Sequence, residues 1–429
     1  MIMGWIGLDD TDTLAGGCTT LVFHQLLENL PSNVSVSEAR LVRLWPFAKK
    51  RTRGNAAMAA ELILLDDDAN IIVDDEQKEL ASQSLLQHLD NWWNEHIAPL
   101  EGAVEQSTHN DRPQVPTEPG MVWFESQLDD SFYRMAVAEN VEMAQVPSAD
   151  RAWGSHGIIG ATAAVSWPAQ LVTWETIAWR DDCTKVREIC ERTLSVIDSW
   201  QGTFMSRDSR KGRSLIAPRG NCPVLFGVRA RDKKTANNAA QKLLEAEDTQ
   251  SSIGMRTFLT NQASDDHLCE IYSGKVISTK ILSRGHVIIN INQNEIKDSE
   301  DDGEDEVAIK ENTWMAFAQS GDIKNLAQWF QAGDIIKGKG LVAEDGALHL
   351  EKLKLVEASE RNKRRPPCER CGKTVKSQGK NNKLRCPACK NLQENIWIYN
   401  PQNPPHRGWV QPPSDHRRHL SRPLKWDQE

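Results

Sequence analysis

Four cysteines near the C-terminus constrain this chain more than any other feature. They stand as Cys368-x2-Cys371 and Cys386-x2-Cys389, with fourteen residues between the pairs. A two-residue gap lets both thiolates of a knuckle reach one ion, and two knuckles complete a tetrahedral four-sulfur site with no open position. A closed site is structural, so a ribbon of short hairpins around Zn2+ is expected. An iron–sulfur centre is the alternative, disfavoured because the spacing and the flanking lysines and glycines are those of a zinc ribbon. The other five cysteines, Cys18, Cys183, Cys190, Cys222 and Cys269, are scattered. In a large chain without an export signal each reads as a reduced thiol.

Charge marks the same end of the chain as a polyanion binder. The net charge is -9, yet residues 361–429 carry 16 Lys+Arg against 5 Asp+Glu, a local +11 against -20 on the rest. Such asymmetry points to a nucleic-acid-binding end. Basic residues from Arg364 to Arg385 would surround the ribbon, and "PPSDHRRHLSRPLKW" would extend that RNA-contacting surface. A solvated tail without a partner is the bland alternative. The start, MIMGWIGLDD, has neither a basic n-region nor an apolar stretch of export length, and no run of about 18 apolar residues occurs. A soluble, cytoplasmic protein away from the membrane is expected, with a monomer compatible and the oligomeric state open.

At 429 residues the chain exceeds one core, and about 100–200 residues per domain gives three or four domains. Residues 5–8 read as a buried strand and Thr19 to Leu30 as a helix stopped by Pro31. "EARLVRLWPF" and the Ala-rich "NAAMAAELILL" continue as strand and helix, followed by the amphipathic helix "SQSLLQHLDNWWNEH". From 155 to 262, "GIIGATAAV" and "CPVLFGVRA" as strands, with helices through "DDCTKVREICERTLSVIDSW" and "KKTANNAAQKLLEAE", suit a ferredoxin-like sandwich. Beyond 268 come short β-rich runs, an acidic run at 300–306, a helix around "GDIKNLAQWFQAG" and an Asp345-Gly346 hairpin signal. Five short strands with one interposed helix resemble an OB-fold.

The chain has neither a GxxxxGK[ST] loop nor a protein-kinase signature set. Its candidate for nucleotide chemistry is instead the opening "GLDDTDTLAGGCTT". Asp9, Asp10 and Asp12 follow a strand, where carboxylate oxygens can hold Mg2+ that bridges phosphates. Gly16 and Gly17 let backbone approach a ligand, and Thr19 and Thr20 sit at a helix N-terminus that favours phosphate. Mere helix capping is the competing reading, though one aspartate would suffice for it. Two further stretches have anion-site composition: "KKRTRGNAA", with Arg53, Gly54 and Asn55, and the pair "GTFMSRD" and "IAPRG". Either can equally be an ordinary turn.

As a set, "GLDDTDT...GGCTT", "TRGNAA", "GIIGA", "GTF-S-D", "IAPRG--PVLFGVR", an OB-like segment, the four-cysteine ribbon and a terminal "RRHLSRPL" resemble the archaeal tRNA-Ile 2-agmatinylcytidine synthetase family, TiaS, in order from Gly7 to about Leu424. The resemblance implies a multidomain α+β protein: a kinase-like α/β ATP-binding domain (1–150), a ferredoxin-like agmatine-binding domain (151–264), an OB-fold β-barrel for RNA (265–359) and a C-terminal zinc ribbon with basic tail (360–429). It implies ATP, Mg2+ and Zn2+, with agmatine and the CAU-anticodon tRNA-Ile as partners. Asp9, Asp10 and Asp12 would hold metal and orient ATP, and Thr19 would be the autophosphorylated threonine. Gly16, Gly17, Thr20, Arg53, Gly54 and Asn55 would bind nucleotide. Agmatine would sit around Thr203, Phe204, Ser206, Asp208, Pro218, Arg219 and Gly220, with Asp208 as guanidinium partner. The implied reaction phosphorylates the C2 oxygen of the wobble cytidine and displaces phosphate with agmatine's amine. A non-catalytic OB and ribbon RNA-binding protein and a Mg2+-dependent phosphohydrolase are the competing functions.

Overall fold

The computed structural model describes residues 3–13, 17–50, 54–66, 71–72, 74–103, 115–208, 210–218, 220–268, 270–293, 310–361, 363–379, 383–396, 398–399 and 403–428. In chain order its first strands are β1 (Met3–Asp9), β2 (Val34–Val36), β3 (Arg40–Arg43), β4 (Ala56–Leu64), β5 (Gly120–Phe124), β6 (Arg151–Gly154) and β7 (Thr173–Trp179). The short hairpin β8 (Arg207–Asp208) and β9 (Arg213–Ser214) follows, then β10 (Val224–Ala230) and β11 (Gly254–Thr260). Helices α1 (Thr19–Glu28), α2 (Asp75–Trp92), α3 (Ser131–Ala138), α4 (Ile158–Ser166), α5 (Glu191–Asp198) and α6 (Lys233–Leu244) lie between them.

Two compact units result, residues 1–269 with 417–429, and residues 270–416. In the first, one sheet runs β10-β7-β11-β3-β4-β1-β5-β6, with β2 also paired to β4. Its pairings are antiparallel except for β3 with β11, where Arg40 faces Leu259 and Leu41 faces Thr260. That parallel pair fuses the N-terminal strands and the 173–260 strands into a single surface. A ridge of Ile6, Leu8, Phe23, Leu26, Met58, Leu62 and Trp179 forms the core on one face, and Trp5, Val122, Phe132, Ala161 and Trp167 form it on the other.

Two element expectations are reversed. The Ala-rich "NAAMAAELILL" is strand β4, and the apolar "GIIGATAAV" is helix α4. Alanine favours helices in isolation, but Ala57 and Ala59 are fully buried in a central strand on the face that meets α4, and their short side chains let α4 lie close against it. Residues 160–166 of α4 are buried too, so an apolar run of that length carried no period by which to tell helix from strand. Strand β7 stands where the sequence pattern predicts no strand. The helix expected from 181 begins only at Glu191, because Arg180 and Arg187 donate to the carbonyls of Cys183, Lys185, Pro218, Gly220 and Cys222 and hold 181–190 as loop.

The second unit contains a closed five-stranded barrel: β12 (Tyr272–Ile281), β13 (Val287–Gln293), β14 (Lys310–Ala316), β15 (Ile335–Val342) and β16 (Leu348–Glu357), ordered β14-β13-β12-β15-β16 and closed by parallel β14–β16 contacts. Helix α7 (Asp322–Trp329) joins β14 to β15, as an OB-like barrel requires, and the Asp345-Gly346 turn joins β15 to β16 with Gly346 at φ +80°. Val287, Ile289, Ile291 and Trp314 fill the barrel. The acidic run at 300–306 lies outside the described residues. Near the cysteines, β17 (Lys363–Arg364) pairs with β21 (Ile398–Tyr399), and β18 (Lys376–Ser377), β19 (Leu384–Arg385) and β20 (Leu392–Gln393) form a three-stranded antiparallel sheet.

The C-terminal tail departs from its expected place beside the ribbon. Residues 417–428 belong to the first unit: Ala263 N–H donates to His419 O (2.8 Å), Asp265 N–H to Leu420 O (2.8 Å) and Arg422 N–H to Asp265 Oδ1 (2.7 Å). Leu420 is 3% exposed within the core, and Trp426 stacks edge-on against Phe204. Its basic appearance concealed two apolar anchors, Leu420 and Trp426, spaced among the arginines.

Candidate active site

Strand β1 ends at Asp9 and delivers the acidic loop to a cleft lined by Asp9, Asp10, Asp12, Lys49, Lys50 and His156, with Trp45 and Val141 as its apolar wall. Asp10 adopts φ +54°, a left-handed conformation uncommon for a residue with a side chain. This bend lets its N–H donate to Asp9 Oδ1 (2.7 Å) while its own Oδ2 accepts from Glu118 N–H (2.8 Å). A Cβ on Gly160 of α4 would lie 1.8 Å from Asp9 Oδ2, so glycine there makes room for the carboxylate. Burial, then the neighbouring Asp10, pushes the Asp9 acid well up; burial likewise raises Asp10 to about 7. Two adjacent carboxyls so disfavoured as anions make a site that a divalent cation would relieve.

Across the cleft, Lys49, Lys50, Gly54 and Asn55 bring "KKRTRGN" to the acidic loop, and Lys50 Nζ pairs with Glu118 (2.5 Å). Arg53 and Gly16 lie outside the described residues. Gly17 serves the loop itself: a Cβ there would meet Thr11 O at 2.7 Å and Thr13 N at 2.8 Å, so glycine lets the start of α1 pack against the aspartate backbone. Thr19 Oγ1 donates to Asp12 Oδ1 (3.2 Å) and accepts from Thr11 N–H (3.3 Å). Thr20 Oγ1 meets Cys18 Sγ (3.0 Å) and accepts from Trp179 Nε1 (3.1 Å).

A second cleft shares Asp12 and Gly54 with the first and is lined by Thr19, Thr20, Arg43, Glu175, Pro218, Arg229 and His419. Glu175 is 2% exposed and sits between Arg229 (3.2 Å) and Arg43 (3.5 Å), and its Oε2 accepts from Gln262 Nε2 (2.6 Å). Although burial alone would raise it, Arg229 and Arg43 hold the Glu175 carboxyl below its ordinary value. Sequence reasoning passed over Glu175, Gln262, Arg43 and His419; the one available signal was a charge inside the apolar strand "TWETIAW". Of the residues expected around agmatine, Pro218 lines this cleft. Thr203 caps the carbonyl of Ile197 (2.5 Å), Phe204 packs on Trp426, and Ser206 is fully buried. Asp208, 3% exposed on the β8–β9 hairpin, already accepts from Arg210 N–H (3.1 Å) and its guanidinium Nε (3.2 Å). Gly220 O accepts from Arg187, and Arg219 lies outside the described residues.

In the other unit, the four sulfurs of Cys368, Cys371, Cys386 and Cys389 lie within 4.8 Å of one another. Backbone N–H groups at the Cys386 knuckle pull its thiol down to about 6. Although the Asn391 N–H opposes it, burial and the sulfur neighbours push Cys389 up to about 11, a mutual crowding that a shared cation relieves, and four sulfurs so clustered fit Zn2+. Among the described residues no helix is long and apolar enough to cross a membrane.

Comparison with known proteins now bears on this geometry. The model of the TiaS TCKD domain matches residues 5–156, and that of the TiaS FLD domain matches residues 155–267, together more than half of the chain. The chain belongs to the TiaS family. It is 29% identical to the tRNA(Ile2) 2-agmatinylcytidine synthetase TiaS of Pyrococcus horikoshii, covering 98% of this chain and 96% of that one. It is 26% identical to the TiaS of Methanocaldococcus jannaschii, over 99% of each. In fold it matches the crystal structure of a TiaS-tRNA(Ile2)-ATP complex with a TM-score of 0.71 at 23% identity, over 99% of this chain and 97% of that one. A TiaS-tRNA(Ile2)-AMPCPP-agmatine complex matches with 0.70 at 21%, over the same shares.

Proposed function

We propose that this chain is an ATP-dependent ligase that converts the wobble cytidine of the CAU-anticodon, AUA-decoding tRNA-Ile to agmatidine. The observation that carries the reading is the shared wall of the two clefts, where Asp12 accepts from the Thr19 hydroxyl. One cleft has the acids, lysines and apolar wall that suit a nucleoside triphosphate with its cation. The other has the mixed charge that suits an amine meeting a phosphorylated base. Curated relatives matching nearly the whole chain bear the same activity in their names.

On this reading residues 1–150 act as a kinase-like domain and 151–264 as a ferredoxin-like domain presenting agmatine. The barrel and the Zn2+ ribbon hold RNA, in a cytoplasmic monomer. Asp9 and Asp10 would hold Mg2+, which when bound neutralises phosphate charge. Lys49, Lys50, Gly54 and Asn55 position the phosphates, Asp12 orients the Thr19 hydroxyl toward them, and Thr20 closes the start of α1. Phosphorylation makes the C2 oxygen of cytidine a leaving group, and placing agmatine beside it supplies orientation. Leu215 to Pro218 border the agmatine cleft. Leu215 N–H donates to Ser206 O (3.0 Å), which ties the Thr203–Asp208 segment to that loop, and Asp208 yields the guanidinium-partner role because Arg210 occupies it.

Product analysis tests the reading. With tRNA-Ile and agmatine present, phosphate should be released in step with modified tRNA. ATP turnover indifferent to both tRNA and agmatine would contradict it.

A further inference from the structure

The C-terminal tail brings one side chain into the second cleft that no sequence motif assigned, and the hydrogen bonds behind it fix its chemistry. Glu175, held ionised between Arg43 and Arg229, can only accept, so the group of Gln262 that meets Oε2 at 2.6 Å is its amide NH2. Gln262 Oε1 therefore faces His419 Nδ1 at 2.9 Å, and since an amide oxygen only accepts, Nδ1 carries the proton. Nε2 is then the unprotonated nitrogen of a half-buried ring that lines the cleft beside Thr19, Thr20 and Asp12. Backbone pairing of Ala263 with His419 and of Asp265 with Leu420 fixes where the tail presents it.

We propose that His419 is the proton acceptor for the amine nucleophile, supplied to the active cleft by the C-terminal tail. The inference rests on the ligase reading above. A primary alkylamine is an ammonium ion at neutral pH and has no lone pair with which to attack. One N–H proton passes from the ammonium to Nε2. The freed lone pair forms the N–C2 bond, and the C2–O bond breaks with its electrons leaving on phosphate. A second proton moves from the new nitrogen to that departing phosphate, and one hydrogen remains on the product nitrogen. Burial, with Arg43 and Arg229 nearby, keeps the imidazole well below its ordinary value and hence neutral before the step, and the same burial and cations acidify an ammonium bound in the cleft, which brings the two groups toward each other in proton affinity. Among the described residues, the charged groups that line the cleft with the ring are Arg43 on β3, Glu175 on β7, Arg229 on β10 and Asp12 on the acidic loop.

The test uses the full-length His419→Asn variant, whose amide NH2 keeps the bond to Gln262 Oε1 but offers nothing in place of Nε2. Rates are measured with agmatine and with its aminooxy analogue, in which oxygen replaces the methylene beside the amine and the nitrogen is unprotonated at neutral pH. The variant should lose about 100-fold or more with agmatine, while keeping the analogue's rate within a few-fold of wild type. Equal losses with both nucleophiles, or wild-type rates with both, would overturn the proposal. A wild-type enzyme that modifies tRNA with neither nucleophile would instead overturn the ligase reading. Thermal melting distinguishes a misfolded variant, and in that case His419→Gln, retaining a polar group of similar reach, is put through the same pair of nucleophiles with the same two criteria.

Discussion

Asp10 shows how one residue can concentrate a site's chemistry. Its left-handed backbone and burial set two carboxyls side by side, and its acid is raised to about 7. Raised above its unfolded value, this group contributes stability that is present at low pH and lost as pH rises through about 7. A bound divalent cation should remove that loss, so Mg2+ should raise the melting temperature more at about pH 8 than at about pH 5. An equal increment at both would mean that other groups bind the ion. The two threonines separate as sharply. Thr19 faces Asp12, whereas Thr20 is held by Trp179 and Cys18. With γ-labelled ATP, Thr19→Val should abolish label on the protein and Thr20→Val should retain most of it; the reverse pattern would move the acceptor to Thr20. The acidic motif was legible because three aspartates after a strand exceed what capping needs. Glu175 and Gln262 were not, because a buried polar network is defined by partners far away in sequence.

At the scale of elements, the sequence reading failed where composition spoke louder than packing. Alanine in β4 and the apolar run of α4 each fit the opposite element until set against one another, when close contact of strand and helix explains both. Barrel strands with alternating Val287, Ile289 and Ile291 were legible because one face is buried and period 2 shows. The tail was misread because its charges drew attention from its apolar anchors. Leu420 is buried among Trp5, Phe132 and Trp167, so Leu420→Ala should destabilise the first unit by about 2–5 kcal/mol. Chemical denaturation checks this, and a loss below about 0.5 kcal/mol, the level of an ordinary surface substitution, would show that the tail does not dock.

Across the whole molecule, the two clefts lie in the unit formed by 1–269 and 417–429, and the four-cysteine ribbon with its basic neighbours lies in 270–416. Removing Zn2+ with a chelator should weaken tRNA binding and flatten its salt dependence, because fewer phosphates are neutralised. ATP binding should persist. Unchanged tRNA affinity after verified metal loss would remove the ribbon from RNA recognition. The central claim is that the acidic cleft and the Thr19 cleft together install agmatine on tRNA. It is tested most directly by mass spectrometry of nucleosides from AUA-decoding tRNA-Ile incubated with ATP, agmatine and the protein. The account predicts agmatidine in place of the wobble cytidine with the wild type and none with Asp10→Asn. An unmodified cytidine, from folded protein shown to bind that tRNA, would contradict it.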